Sequence, residues 1–339
     1  MGQLGLFDLD NRLAKLSKIG DPLETIDKVV NWKAFRPTIQ RAFRIERKSN
    51  AGRPRFDYVM MFKILILQTF YNLSDGQAEF QIIDRLSFRR FLGLSEESVI
   101  PDEKTIWLFR ETLVQAKAVE KLFDLFQDQL NAAGYYAKKG QIIDASFVEV
   151  PRQRNTREEN ETIKSGETPA EWEKHPAKLC QKDTDARWTK KNDEDFYGYK
   201  NHVSVDVKNK LIREYDTTSA EVHDSQVFEG ILDPVNTNQT VYADSAYRSE
   251  DHEDLLNELQ YKNRMHEKAQ RNKPLTDFQQ EQNSKKSRVR ARVEHVFAMI
   301  EEMHGGVIRC IGRLRAAAKI GLLNLVYNMR RLSYLESHA

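Results

Sequence analysis

The sequence predicts an α/β chain in two parts: an all-α N-terminal domain over about residues 1–135, and a domain over 136–335 built on one mixed β-sheet flanked by helices. Three observations carry this. The apolar runs before residue 135 are too long for strands, and past Gly140 they give way to short alternating runs. The later elements then read strand, hairpin, helix, strand, helix, the order of an α/β domain. At 339 residues the chain can bury a core in each part.

In the first part, "YVMMFKILILQTFYNL" reads as a helix, and "SDGQAEFQIIDRLSFRRFLGL" as a second, with Ser74 or Asp75 as its cap. A third helix starts near "PDEKTIWLFRETL", with Asp102 available as a cap and acids in its first turn. Short helices joined by tight turns and carrying Arg85, Arg89, Arg90 and Arg110 suit a helix-turn-helix type DNA-binding unit. A small helical domain with ordinary surface arginines has the same pattern.

In the second part, "QIIDASFVEV" alternates as a strand, with Ile142, Asp144, Ser146, Val148 and Val150 on one face. Residues 151–195 are polar and read as a long loop or a partly ordered insertion. "YGYKNHVSVDVKNKLIREYDTTSA" is a hairpin around "KNK", "DSQVFEGIL" a helix, "TVYAD" a strand and "SEDHEDLLNEL" a helix. "SRVRARVEHVFAMIEEMHGG" is an amphipathic helix with Val289, Val293, Val296, Phe297, Ile300 and Met303 on its buried stripe, ending at Gly305-Gly306. "LRAAAKIGLLNLVYNMRRLSYL" closes the chain as a further helix.

A hydrophobic content of 40% with 31% charged residues describes a globular protein. The longest apolar run, "MMFKILILQTF", is far short of the roughly 20 residues of a membrane span. "MGQLGLFDLD" has no basic n-region and no apolar core, so no export signal, membrane contact or location outside the cytoplasm is expected. Cys180 and Cys310 lie far apart and outside any C-x-x-C pattern, which excludes a cysteine zinc site and argues against a disulfide scaffold. The net charge of +2 hides a basic segment over 262–292, with ten Lys or Arg against three acids. Such a segment suits a polyanion, and a solvated charged helix has the same composition.

Three carboxylates stand out: Asp144 in a strand, Asp244 at the end of a later strand, and Glu294 at the border of the buried helix stripe. Each has a structural reading: Asp244 as a turn cap, Glu294 as the i,i+4 partner of Arg290, Asp144 as half of a buried pair. If the fold brings them together, three oxygen donors without Cys or His suit Mg²⁺ or Mn²⁺, and a pair of such ions serves phosphoryl transfer.

The stretches "AGRPRFDYVMMFKILILQ", "YNLSDGQAEF", "SFRRFLGLS", "IIDASFVEVP", "RWTKKNDEDFYGYKNHVSVDVKNKLI", "TTSAEVHDSQ", "VYADSAY", "RARVEHVF" and "LNLVYNMRRL" run in order from about residue 50 to residue 332. On them the chain resembles the IS5 group of bacterial insertion-sequence transposases, within the DDE superfamily. That resemblance implies an RNase H-like catalytic core. It implies Asp144, Asp244 and Glu294 as catalytic, metal-holding residues for two Mg²⁺ or Mn²⁺ ions. The implied reaction is phosphodiester hydrolysis at the terminal inverted repeats of the element, followed by transfer of the freed 3′-hydroxyl to target DNA. Two ends to be joined imply a homodimer or larger assembly on DNA. The candidates for holding DNA are Lys200, Lys285, Lys286, Arg288, Arg290, Arg292, Arg89 and Arg90. In the related pattern Y-x2-R-x3-E-x6-K, Arg290 and Glu294 fit, while Ser287 and Glu301 hold the outer positions. The role of the missing lysine then falls to another base, with Lys285 or Lys286 as candidates. Two rival readings remain: a metal-dependent nuclease without strand transfer, and an inactive transposase-derived DNA-binding protein. His202, His223 and His295 lie beside motif residues without zinc spacing.

Overall fold

The computed structural model describes residues 8–43, 55–191, 193–236, 238–269 and 274–338. The first four residues of "AGRPRFD", and Arg271 and Lys273 of the basic segment, lie outside them. The chain forms two compact units, one from residues up to Leu130 with those from Leu325 onward, the other from Asn131 to Asn324. Among the described residues no helix is long and apolar enough to cross a membrane.

The first unit is helical: α1 Asp8–Ile19, α2 Pro22–Val29, a 3₁₀ turn Trp32–Phe35, α3 Arg36–Ala42, α4 Tyr58–Tyr71, α5 Asp75–Asp84, α6 Leu86–Leu92, α7 Glu103–Gln115 and α8 Ala118–Ala132, whose last two residues count with the second unit. α4 is buried on almost every side, as its all-round apolar sequence demands. It stops at Asn72, which takes a left-handed turn (φ 50°). Ser74 and Gln77 form a reciprocal capping box at the start of α5, and Asp102 caps α7 by accepting from Thr105 N at 2.7 Å. The single helix expected over 74–94 is two, because Arg85 turns extended between α5 and α6.

The second unit is built on β1 Gln141–Glu149, β2 Arg187–Lys191, β3 Glu194–Asp206, β4 Ile212–Ser219, β5 Thr240–Tyr242 and β6 Lys262–Asn263. β3 pairs antiparallel with β1 and β4, whereas β5 is parallel to both β1 and β6. The order β4-β3-β1-β5-β6 is that of an RNase H-like sheet, and β2 extends it by pairing with the first half of β3. The β3–β4 hairpin closes on Asp206, which accepts from Asn209 N at 2.7 Å and Leu211 N at 3.1 Å.

α12 Glu250–Glu258, α13 Asp277–Glu302 and α14 Arg313–Glu336 complete the chain, and α14 divides between the two units at Asn324/Leu325. On one face of the sheet Ile143, Val241 and Ala243 pack with Phe228, Ile231, Tyr247 and Leu256. α13 lies on the other, the face of Asp144, with Val293, Val296 and Ile300 buried. There Asn201 of β3 exchanges amide hydrogen bonds of 2.8 and 3.0 Å with Asn324.

Two expectations are corrected. "DSQVFEGIL" is not an α-helix but two 3₁₀ turns, Asp224–Val227 and Glu229–Ile231. Its apolar spacing buries one side as a helix would, but Gly230 and Pro234 offer no helical continuation. The polar insertion is also ordered, with α9 Arg157–Lys164, α10 Ala170–Glu173 and α11 Pro176–Leu179 leading into β2. Trp172 is fully buried there, with Ile163 and Ala186 also inside; it donates to Glu159 at 2.6 Å and carries Lys178 and Lys182 over its ring.

Candidate active site

β1 and β5 run side by side in the same direction, with Ile142 opposite Tyr242. Two residues further along each strand come Asp144 and Asp244. The register therefore sets the two carboxylates level, on strands about 4.8 Å apart, and toward the same face. Asp244 also caps the 3₁₀ turn Ser245–Tyr247, accepting from Ala246 N at 2.8 Å. The turn-cap reading and the site reading of Asp244 are thus the same geometry: the cap fixes the carboxylate at the strand end.

α13 crosses this end of the sheet and delivers Arg290, whose Nη2 donates to Asp144 Oδ2 at 3.0 Å. Burial pushes the Asp144 carboxyl above its ordinary pKa, opposed by the Arg290 charge and its hydrogen bond and by the Ala145 N–H, and the nearby Asp244 charge raises it further. The guanidinium therefore sits where the site demands positive charge. Its Nε is buried without a partner. His266 Nδ1 is 3.5 Å from Arg290 Nη1, and Ser287 Oγ is 3.2 Å from His266 Nε2. Burial, then the charges of Arg290 and Lys286, push the His266 imidazole below its ordinary pKa, which keeps it neutral near pH 7.

The other face adds a buried phenol. Tyr247 is fully buried, its hydroxyl has no partner, and burial followed by the charges of Asp224, Asp144 and Asp244 drives its pKa well up. Lys200, expected on DNA, is inside: Nζ donates to Val222 O at 2.7 Å and to Asp224 at 2.8 Å. His202 is buried against Thr218 Oγ1 at 2.8 Å, and burial depresses its pKa to about 4.

Glu294 does not join the aspartates. It is exposed on α13, one turn beyond Arg290, which pairs with Asp144 rather than with Glu294. Among the described residues no group of three or more His, Cys, Asp or Glu side chains is placed to hold a metal ion. Asp144 and Asp244 are hard oxygen donors at adjacent strand ends, with Arg290 bonded to Asp144, a donor chemistry that fits a divalent cation.

The remaining DNA candidates divide. Lys286 is buried and donates to Met265 O at 2.7 Å. Arg90 reaches Asp21 at 2.6 Å and Ser17 Oγ at 2.8 Å, and Arg89 donates to Ser95 O. Arg292 donates to Val207 O at 2.6 Å. Lys285 pairs with Glu281 at 2.7 Å on the exposed surface, and Arg288 is exposed. Of the other helix arginines, Arg110 forks onto Asp75 at 2.5 and 2.8 Å, and Arg85 lies over the Tyr71 and Phe88 rings. Sequence reasoning missed His266, Tyr247 and the Lys200–Asp224 pair. Tyr247 lies inside the quoted "VYADSAY", whereas His266 has no local motif.

The family model described as Transposase DDE domain matches residues 135–329, and the one described as Transposase domain (DUF772) matches residues 11–112. The chain belongs to the DDE-domain transposases, a family of DNA-cleaving and DNA-transferring enzymes that generally use divalent metal ions. Among solved structures the fold is similar to the piggyBac transposase in a synaptic complex with hairpin DNA, with a TM-score of 0.49 and 14% identity, covering 93% of this chain and 75% of that one.

Proposed function

We propose that the chain is the transposase of an IS5-group insertion sequence, hydrolysing a phosphodiester at each terminal inverted repeat and joining the freed 3′-hydroxyl to target DNA. The observation that carries this reading is the level placement of Asp144 and Asp244 at the ends of two adjacent parallel strands, with Arg290 bonded to Asp144. Asp144 and Asp244 would hold divalent cations, with Glu294 as the third carboxylate of the set. When bound, such ions supply charge neutralisation at the scissile phosphate and a more acidic attacking oxygen. Both reactions are in-line displacements at phosphorus, so one constellation serves both.

The residues of this chain do the positioning. The Asp244 cap and the β1 ladder fix two carboxylates before substrate arrives, and Arg290 opposes the upward push of burial on the Asp144 carboxyl. Lys285, Arg288 and Arg292, along one exposed stretch of α13, bind the phosphate backbone, which makes binding steeply salt-dependent. Two element ends call for at least two copies of the chain.

The test offers precut repeat ends with free 3′-hydroxyls, and in parallel uncut repeat ends, to a target plasmid with Mg²⁺, using wild type and Glu294→Gln. Joining by wild type alone supports the proposal. Cutting of uncut ends without joining selects the nuclease reading, and binding without either reaction selects the inactive descendant.

A further inference from the structure

The ordered insertion builds a second site on the face of the sheet that carries Asp144. In the β1–β3 ladder Asp144 lies opposite Val203 and Val148 opposite Tyr199, so strand alternation puts Tyr197 and its β2 partner Trp188 on that same face. The two rings pack with centroids 4.9 Å apart, and Arg152 lies 5.2 Å over Trp188. Trp188 is nonetheless 46% exposed, unusual for a large aromatic next to a buried tyrosine.

Beside this platform is a cavity of about 570 Å³, floored by Ile163 and Tyr197 and rimmed by Trp188, Asn160, Arg157 and Lys164. That size falls in the small-ligand range. The chemistry of its walls is mixed in a specific way: flat rings, an exposed side-chain amide, and cations. The acids at the rim have partners of their own, Glu161 with Arg157 at 3.2 Å and Glu221 with Arg187 at 3.2 Å. Lys164 stands exposed.

We propose that this cavity takes an unpaired nucleotide of the DNA strand being processed. Trp188 stacks on the base, Asn160 meets its polar edge, and Lys164 meets a flanking phosphate. This rests on the transposase reading and extends it. The cavity lies beside Val150, one residue past the end of β1, whose N–H donates to Tyr197 O at 3.0 Å, about 20 Å from Asp144.

The test measures binding of the full chain to two fluorescein-labelled probes, a 12-nucleotide single strand and the corresponding blunt duplex. The proteins are wild type, Trp188→Ala, Trp188→Phe and Asn160→Ala, with unchanged melting temperature as the folding control. Trp188→Ala is expected to weaken single-strand binding by about tenfold or more, and Trp188→Phe to recover most of it. Asn160→Ala weakens it less, and duplex binding changes less than twofold throughout. Equal single-strand binding by wild type and Trp188→Ala overturns the inference, as does an equal loss for both probes. Displacement of the strand by a low concentration of free mononucleotide overturns it in favour of a small-molecule site. If wild type binds duplex but not single strand, the inference fails and the transposase reading stands; if it binds neither, both fall.

Discussion

Asp144 is held between two opposing influences, burial that favours its proton and Arg290 that favours its charge. Arg290→Gln removes only the second. The folded chain then retains the Asp144 proton to higher pH than the unfolded chain does. Stability is accordingly unaffected below the ordinary aspartate pKa and falls as pH rises through the enlarged window above it. Melting curves at pH 3.5 and pH 7.5 should show no loss at the first and about 2 kcal/mol at the second. The acid limb of cation binding should move to higher pH in the same variant. His202 has the opposite sense. Its folded pKa of about 4 lies below the ordinary 6.5, so the stability tied to its neutral form is complete above pH 6.5 and drains as pH falls toward 4. His202→Gln should flatten melting temperature over that interval, and an unchanged slope would show that the imidazole is not held neutral. Asp144 and Asp244 were legible as residues because an acid in or after an apolar strand is conspicuous in sequence. His266 was not, because its place depends on α13 lying against the strand end, a contact that no local pattern encodes.

At the level of elements, the β1–β3 ladder carries most of the site, and its weakest point is Gly198. Its backbone sits at φ 150°, and a Cβ there would meet Val148 O at 2.3 Å and Val150 N at 3.0 Å. Those atoms are backbone and cannot swing away, so the strands themselves would have to part. Gly198→Ala should lower the urea midpoint by an amount equivalent to about 2–4 kcal/mol, with loss of the Asp144 site; a change below 0.5 kcal/mol would mean the strands part freely there. β1, the β3–β4 hairpin, β5 and α13 were readable from period, whereas β2 and the two-residue β6 were not. The insertion was not, since three helices of four to eight residues around one tryptophan leave almost no periodic signal. The basic segment was legible only in part. Composition counts charges but not partners, and Lys286 and Arg290 spend theirs inside the fold.

For the molecule as a whole, the two family matches follow each other along the chain, the first over the helical part and the second over the sheet. The RNase H-like order arises because β1 is central: it accepts an antiparallel hairpin on one edge and a parallel strand on the other, and only the parallel edge brings a second carboxylate level with the first. Glu294, proposed to complete the site, is exposed on α13. Asp144 and Asp244 are proposed to form the centre that cuts DNA. The measurement that bears on it most directly is Mg²⁺-dependent cleavage of a labelled duplex carrying the element's inverted repeat, by wild type, Asp144→Asn and Asp244→Asn, with binding followed in parallel. The account predicts cutting by wild type, a loss of at least about a thousandfold in both variants, and binding retained in all three. Equal cutting by wild type and either variant would contradict it.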